Sequence, residues 1–367
     1  MKKVKVNFNQ IKIGLSVALV AVLIINLFLI SGLSIKAENK AKEIKELTRP
    51  VNLEITVIKD KNCKDCFDLT PAIELIKNAN TKIIKEEVKD IKEAKELIKK
   101  YGIKKIPTII LSGEINRTEL NDFEEKDGVL LFKSQKPVYI DAVSGNSIGR
   151  VSVKNLKDSS CAKCADTTAL ITGLEQAGVV IANKKTIERT SNEGKELIKK
   201  YKIEQIPTLI LSSNISVYES ISQAWSQIGT IEKDGSYIIR RINPPFINTS
   251  TGNVIGITDI TLLTDKSCPE CYDVTIHKSI LNQYGVVLGN EKTIDITAEE
   301  AKKLIERYNI KAVPTIILSK DASNYPALVQ IWSQVGSIEA DGKFVFREIT
   351  AMKDSVYRDL TTNKITK

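Results

Sequence analysis

From residue 51 onward the chain repeats one pattern of apolar and polar positions three times. Each repeat opens on an extended run: VNLEITVI at 51, GRVSVKNL at 149 and ITDITLL at 257. Alternation and β-branched residues mark these runs as strands. A helix follows, visible in FDLTPAIELIKNA and YDVTIHKSILNQYG, and then a second strand, KIIKEEV, VVIANKKTI or VVLGNEKTI. The next helix is the clearest. Ala94, Leu97, Ile98 and Tyr101 recur at i, i+3, i+4 and i+7, as do Gly194, Leu197, Ile198 and Tyr201, and Ala301, Leu304, Ile305 and Tyr308. That spacing lines one helical face. A buried strand comes next: TIILS, TLILS and TIILS.

Repeats two and three then share a segment that the first largely lacks. Ile221, Ala224, Trp225 and Ile228 match Leu328, Ile331, Trp332 and Val335 at helical spacing, and these are the only two tryptophans in the chain. They read as core anchors of an extra helix in preference to a substrate platform. Asp127-Gly128, Asp234-Gly235 and Asp341-Gly342 signal hairpin turns. Each repeat ends in a related strap, PVYIDAVSGNSIG at 137, PPFINTSTGNVIG at 244 and SVYRDLTTNKITK at the C-terminus. The strap therefore closes a module. Boundaries fall at 51–149, 150–256 and 257–367, each module long enough to bury its own core. The class is α/β.

The N-terminus is different. Ile13 to Ile35 is free of charged side chains over 23 residues, enough for a helix to cross a bilayer. Lys2, Lys3, Lys5 and Lys12 in the basic segment 1–12 precede it, which keeps that end cytoplasmic and sends the modules outward. A cleaved signal peptide ending near Ala37 is the alternative; the apolar run exceeds a usual signal core and favours an anchor. Residues 36–50 are polar and helix-prone, a short stalk closed by Pro50. Either reading places the modules outside the cytoplasm, where disulfides persist.

Charge changes little in this picture. The net charge is +9, but lysines are mixed with glutamates in segments such as KEAKELIKK, which read as solvated helix faces. No basic block is interleaved with aromatics, so no nucleic-acid partner is expected.

All six cysteines lie in three CxxC pairs: Cys63 with Cys66, Cys161 with Cys164, and Cys268 with Cys271. Each pair is followed 44 to 46 residues later by an apolar-Pro-Thr triplet, at Ile106-Pro107, Ile206-Pro207 and Val313-Pro314. Two thiols at this spacing, with a distant proline to fold against them, point to thiol–disulfide exchange. Asn62, Ser160 and Ser267 precede the first cysteines and are good N-caps. A cysteine at a helix start is favoured as thiolate, the attacking species.

Strand, CxxC, helix, strand, helix, apolar-Pro-Thr, strand and hairpin together resemble the thioredoxin fold, most closely around YGIKKIPTIILS, YKIEQIPTLILS and YNIKAVPTIILS. The expected architecture is three tandem thioredoxin-like modules after an N-terminal transmembrane helix at 13–35. The resemblance implies that Cys63, Cys161 and Cys268 are nucleophiles and that Cys66, Cys164 and Cys271 resolve the mixed disulfide. It also implies cis prolines at Pro107, Pro207 and Pro314, which with Ile106, Ile206 and Val313 would bind an extended substrate strand. The chain departs from the family in having no tryptophan before the motif and no Gly-Pro between the cysteines. Pro71 matches the family's helix kink, while Ala169 and Ile276 stand there in the other modules. Asp60, Asp158 and Asp265 precede the motif, and Asp68, Asp166 and Asp273 follow it; they read as turn and helix-face residues or as an acidic surround opposing the thiolate.

The leading expectation is a membrane-anchored extracytoplasmic thiol–disulfide oxidoreductase acting on cysteine-containing proteins. The anchor has no cysteine or internal charge, so a separate redox partner would regenerate the modules. The rival is a non-catalytic binding or spacer array with structural disulfides. Metal binding is disfavoured, because each CxxC supplies two ligands where structural zinc takes four. No cofactor is implied. His277, the only histidine, reads as an ordinary helix residue.

Overall fold

Alternation in the first run translates into a strand with one face in the core. In the computed structural model, which describes residues 8–352 and 355–367, Val51, Leu53, Ile55 and Val57 are buried, and Asn52, Glu54 and Thr56 are half-buried. The basic residues Lys2, Lys3 and Lys5 lie outside the described residues.

One continuous helix, α1 (Phe8–Thr48), runs through the apolar segment and on through the polar stalk. It is the one described helix long and apolar enough to cross a membrane. Its C-terminal end is clasped by module 1. Arg117 donates to the carbonyl of Glu46 at 2.6 Å and lies within reach of those of Leu47 and Arg49 at 3.4 and 3.3 Å. These bonds satisfy carbonyls that a helix end leaves without partners. Arg49 forks onto Glu114 at 2.7 and 2.5 Å, and Glu114 also accepts the Asn52 N–H at 2.9 Å. Those bonds, from Arg49 first and Asn52 next, hold the Glu114 carboxyl down at about 2.

Module 1 continues with β1 (Val51–Lys59), α2 (Thr70–Asn78), β2 (Thr81–Asp90), α3 (Lys95–Tyr101), β3 (Lys105–Ile106), β4 (Thr108–Gly113), β5 (Phe123–Lys126), β6 (Val129–Phe132) and β7 (Tyr139–Asp141). Its five-stranded sheet has the order β2-β1-β4-β6-β5. β1 is parallel to β2 and antiparallel to β4. β4 and β6 are buried on both faces along most of their length. Leu53, Ile55, Ile109 and Leu111 pack with Ile76 of α2 on one side, and Ile58, Ile110 and Leu131 with Tyr101 of α3 on the other. Each such aliphatic side chain contributes roughly 2 kcal/mol relative to exposure.

After β8 (Ser147–Ile148) the design repeats as β9 (Val151–Lys157), α4 (Thr168–Gln176), β10 (Ile181–Glu188), α5 (Asn192–Tyr201), β11 (Gln205–Ile206), β12 (Thr208–Leu211), α6 (Glu219–Ala224), β13 (Gly229–Ile231), β14 (Tyr237–Ile239), β15 (Phe246–Asn248) and β16 (Val254–Ile255). The third copy is β17 (Ile257–Thr264), α7 (Ile276–Gln283), β18 (Val287–Asp295), α8 (Glu299–Arg307), β19 (Ala312–Val313), β20 (Thr315–Leu318), α9 (Pro326–Val335), β21 (Gly336–Ile338), β22 (Phe344–Phe346), β23 (Tyr357–Asp359) and β24 (Lys364–Thr366). Their five-stranded sheets, β10-β9-β12-β14-β13 and β18-β17-β20-β22-β21, reproduce the order of the first.

The two tryptophans are core anchors. Trp225 and Trp332 are buried, meet Tyr237 and Phe344 edge-on at 5.1 and 5.3 Å, and donate to the Thr230 and Ser337 carbonyls at 3.1 and 3.0 Å. The segment each belongs to begins with a tyrosine reaching back to the start of its module. Tyr218 donates to the Gly149 carbonyl at 2.7 Å and Tyr325 to that of Gly256. Each phenol also accepts a backbone N–H, from Val180 or Val287, at 3.0 Å. Gly194 replaces the alanine of the sister helices for a steric reason: a Cβ there would lie 2.2 Å from the Glu188 carbonyl oxygen.

Candidate functional site

An aspartate ends each opening strand and builds the turn that carries the first cysteine. The carbonyls of Asp60, Asp158 and Asp265 accept the N–H groups of Cys63, Cys161 and Cys268 at 3.2, 3.2 and 3.1 Å. Their carboxylates accept the N–H groups of Asn62, Ser160 and Ser267 at 2.8 to 2.9 Å, and the Ser160 and Ser267 hydroxyls also donate to them, at 2.6 Å each. These Asx turns overturn the N-cap expectation. The hydroxyls are spent on the aspartates, and α2, α4 and α7 begin only at Thr70, Thr168 and Ile276. Asp68, Asp166 and Asp273 accept the N–H groups of Thr70, Thr168 and Thr275 at 2.8 to 2.9 Å and lead into those helices. The helix dipole fades within one turn, so in this oxidised form it lends the first cysteines no support.

The aspartates act as turn builders. Two of them carry a cation as well: Arg189 bonds Asp158 at 2.6 Å, and Arg358 bonds Asp265. The Ser160 hydroxyl, with Arg189, lowers the Asp158 carboxyl below its ordinary range. Burial pushes Asp265 up, but the Arg358 and Ser267 hydrogen bonds outweigh it and the net shift is downward. An acidic surround is thus partly neutralised in modules 2 and 3.

All three pairs are closed disulfides, with Cα atoms 5.4, 5.4 and 5.3 Å apart. The Ile106–Pro107, Ile206–Pro207 and Val313–Pro314 bonds are cis. In module 1 the disulfide and Pro107 line an open cleft of about 340 Å³ together with Phe67, Ile73 and Val88. In module 2 a cleft of about 280 Å³ is lined by Cys161, Cys164, Ile206, Pro207 and Ile247. In module 3 the residue after the second cysteine, Tyr272, donates its hydroxyl to the Pro314 carbonyl at 2.8 Å. Cysteine pair and proline thus share a cleft in modules 1 and 2, and Tyr272 links the two segments in module 3.

The strap changes the expected use of the residue before each proline. Ile106 pairs antiparallel with Ile140, Ile206 with Ile247 and Val313 with Arg358. Two residues earlier in the same registers, Ala142, Thr249 and Leu360 donate to the Lys104, Glu204 and Lys311 carbonyls at 2.8 to 2.9 Å. Hydrogen-bonded pairs alternate along an antiparallel ladder, so each residue before the proline exchanges both backbone bonds with the strap. A substrate strand would have to displace it.

His277 lies on α7, as expected of a helix residue, and its side chain faces inward. It is buried, packs edge-on to Phe346 at 4.5 Å, and holds Nε2 3.1 Å from the Tyr272 hydroxyl. With the phenol proton committed to Pro314, the imidazole donates from Nε2. Burial lowers its pKa to about 4 and raises that of Tyr272 well above the usual phenol range.

Between the module 2 cysteines, Lys163 donates to the Leu288 carbonyl at 2.7 Å. Leu288 pairs with Thr258, near the start of β17, whereas Cys268 follows its other end. Six residues of strand separate these points by about 20 Å.

No protein-family model matches the chain, and no curated protein is found similar to it. Among solved structures it is similar to ERdj5 form II at 14% identity and TM-score 0.15, covering 77% of this chain and 38% of that one. It is also similar to zinc-bound human ERp44 (11%, TM-score 0.15, 75% and 80% covered) and to a protein disulfide oxidoreductase from Aeropyrum pernix K1 (18%, TM-score 0.15, 47% and 77% covered). At these scores the likeness carries no argument about function. The chain's own strand order, closed CxxC pairs and cis prolines carry the assignment: this protein holds three thioredoxin-like modules in tandem behind an N-terminal helix.

Proposed function

We propose that the chain is a membrane-anchored thiol–disulfide oxidoreductase, held by residues 13–35, whose modules face the extracytoplasmic space and act on protein cysteines. The observation that supports it most is the open cleft beside a closed CxxC disulfide and its proline in modules 1 and 2. A substrate thiolate attacks Sγ of Cys63 or Cys161; the intramolecular S–S bond breaks, and Cys66 or Cys164 leaves as thiolate. A second substrate thiolate then attacks the substrate sulfur of the mixed disulfide and releases the reduced CxxC pair. The substrate loses two electrons and the module gains them; the reverse sequence reduces a substrate disulfide. Cysteine-containing extracytoplasmic proteins are the substrates, and a separate redox partner restores each pair.

One observation favours a second reading, a binding or spacer array with structural disulfides. The strap occupies the backbone of Ile106, Ile206 and Val313, where a substrate strand was expected. Redox titration of residues 37–367, with alkylation counted by mass, separates the two. Exchange catalysts poise between about −120 and −270 mV, and structural disulfides below about −300 mV.

A further inference from the structure

The three sites differ in how open they are. Cys63 and Cys161 are half-buried, but Cys268 is only 4% exposed. Two side chains set module 3 apart from module 2. The strap residue opposite the pre-proline position is Ile140 in module 1 and Ile247 in module 2, but Arg358 in module 3. Its guanidinium bonds the Asp265 carboxylate and the Ser267 hydroxyl, the latter at 3.0 Å. The Arg358 side chain is 15% exposed and that of Asp265 1%, so this ion pair is largely shielded from water, where removing one partner is costly. It ties the strap to the turn that presents Cys268. The residue after the second cysteine is Tyr272, where module 2 has Ala165 and module 1 Phe67. The Tyr272 hydroxyl bonds the Pro314 carbonyl and His277 backs the ring, whereas the Tyr272 N–H bond to the Val356 carbonyl of the strap at 2.9 Å has a counterpart in module 2, from Ala165 to Pro245 at 2.8 Å.

We propose that Arg358 and Tyr272 are positioning residues that latch the strap of module 3 over Cys268, so that this pair exchanges with thiols far more slowly than the pair of module 2. The proposal rests on the exchange reading above. An incoming thiolate needs a line to Sγ of Cys268 along the S–S bond, with Cys271 leaving as thiolate. In module 2 the cleft offers that line. In module 3 the strap must first part from the turn, breaking the Arg358 contacts. Module 3 is then the selective site, opened by a partner able to take over the Arg358 or Asp265 contacts, while modules 1 and 2 stay open to thiols generally.

The test is the reduction kinetics of the full-length oxidised chain in detergent, with excess glutathione as the attacking thiol. Aliquots are acid-quenched and alkylated, and each cysteine pair is followed by peptide mass. Wild type should reduce Cys268–Cys271 at least tenfold more slowly than Cys161–Cys164. Arg358→Ile, which installs the residue of modules 1 and 2, should speed the module 3 pair at least tenfold and leave the module 2 pair unchanged. Arg358→Lys, which keeps the charge, should stay slow. Tyr272→Phe keeps the ring and removes one link, and should speed the same pair severalfold; it decides the matter if Arg358→Ile destabilises the module. Equal wild-type rates for the two pairs overturn the latch, as does a module 3 rate unmoved by both Arg358→Ile and Tyr272→Phe. Equilibrium potentials from the same samples test the exchange reading separately, because the latch concerns rates alone.

Discussion

His277 allows a sharp test of how module 3 is packed, because it is the only histidine in the chain. Its ring lies between Tyr272 and Phe346, and burial lowers its pKa to about 4. In the unfolded chain an imidazole titrates near 6.5. On acidification the unfolded chain therefore takes up a proton first, while the folded ring stays neutral. Unfolding binds a proton throughout the window from about 6.5 down to about 4, so stability falls as pH falls across it. From about pH 7.5 to about pH 4.5 the shift removes about 2–3 kcal/mol from module 3. The assay is denaturant unfolding at the two pH values in a Trp225→Phe background, where Trp332 alone reports. His277→Phe keeps an aromatic ring against Phe346 and should flatten the dependence, and the difference from wild type isolates the histidine from the carboxylates. A proton NMR titration of the single imidazole gives the folded midpoint directly. A midpoint near 6.5, or wild type and variant losing stability in parallel, would refute the burial argument.

Further tests address other elements. Trp332→Ala should cost module 3 about 3–5 kcal/mol, read as an earlier thermal transition, since it empties a large core site. Gly194→Ala should destabilise module 2 by about 1–3 kcal/mol, because the new methyl meets the Glu188 carbonyl, while the reverse Ala301→Gly costs the helix penalty of about 1 kcal/mol and the burial of one core methyl. Tyr325→Phe leaves the Gly256 carbonyl and the Val287 N–H without their partner and should cost about 1–3 kcal/mol by denaturant melts. On the proposed exchange reading, Cys164→Ser should accumulate mixed disulfides with substrate proteins that vanish on reduction and are missing from a Cys161→Ser, Cys164→Ser double variant.

Much of the fold was legible because its signals are local and repeated. The strands at 51, 149 and 257, the helical face ending at Tyr101, Tyr201 and Tyr308, and the Asp-Gly turns each declare themselves through period or turn chemistry. The pairing of each CxxC with its proline was legible from three nearly equal spacings. What failed depended on competition between neighbours. Ser160 and Ser267 are good caps in isolation, but an aspartate two residues earlier captures their hydroxyls first. The strap's role at the pre-proline backbone is a matter of long-range register, which alternation within the strap cannot reveal. Arg358 did leave a trace: aligned straps read Ile140, Ile247 and then arginine. His277 left none, because a lone histidine on a helix carries no mark of which way it faces.

The clasp on α1 bears on where an anchored module can work. With residues 13–35 in a bilayer, the remaining helical turns from Lys36 to Thr48 form a strut of about 20 Å. A loose tether of the same length would let module 1 sweep a volume of solution. On the anchored reading proposed above, the Arg117 and Arg49 contacts would instead give the module a fixed altitude and leave it to search in two dimensions, by diffusing with its anchor. Cysteines presented at that height would meet Cys63 at a high effective concentration, and those held well above or below would be out of register with it.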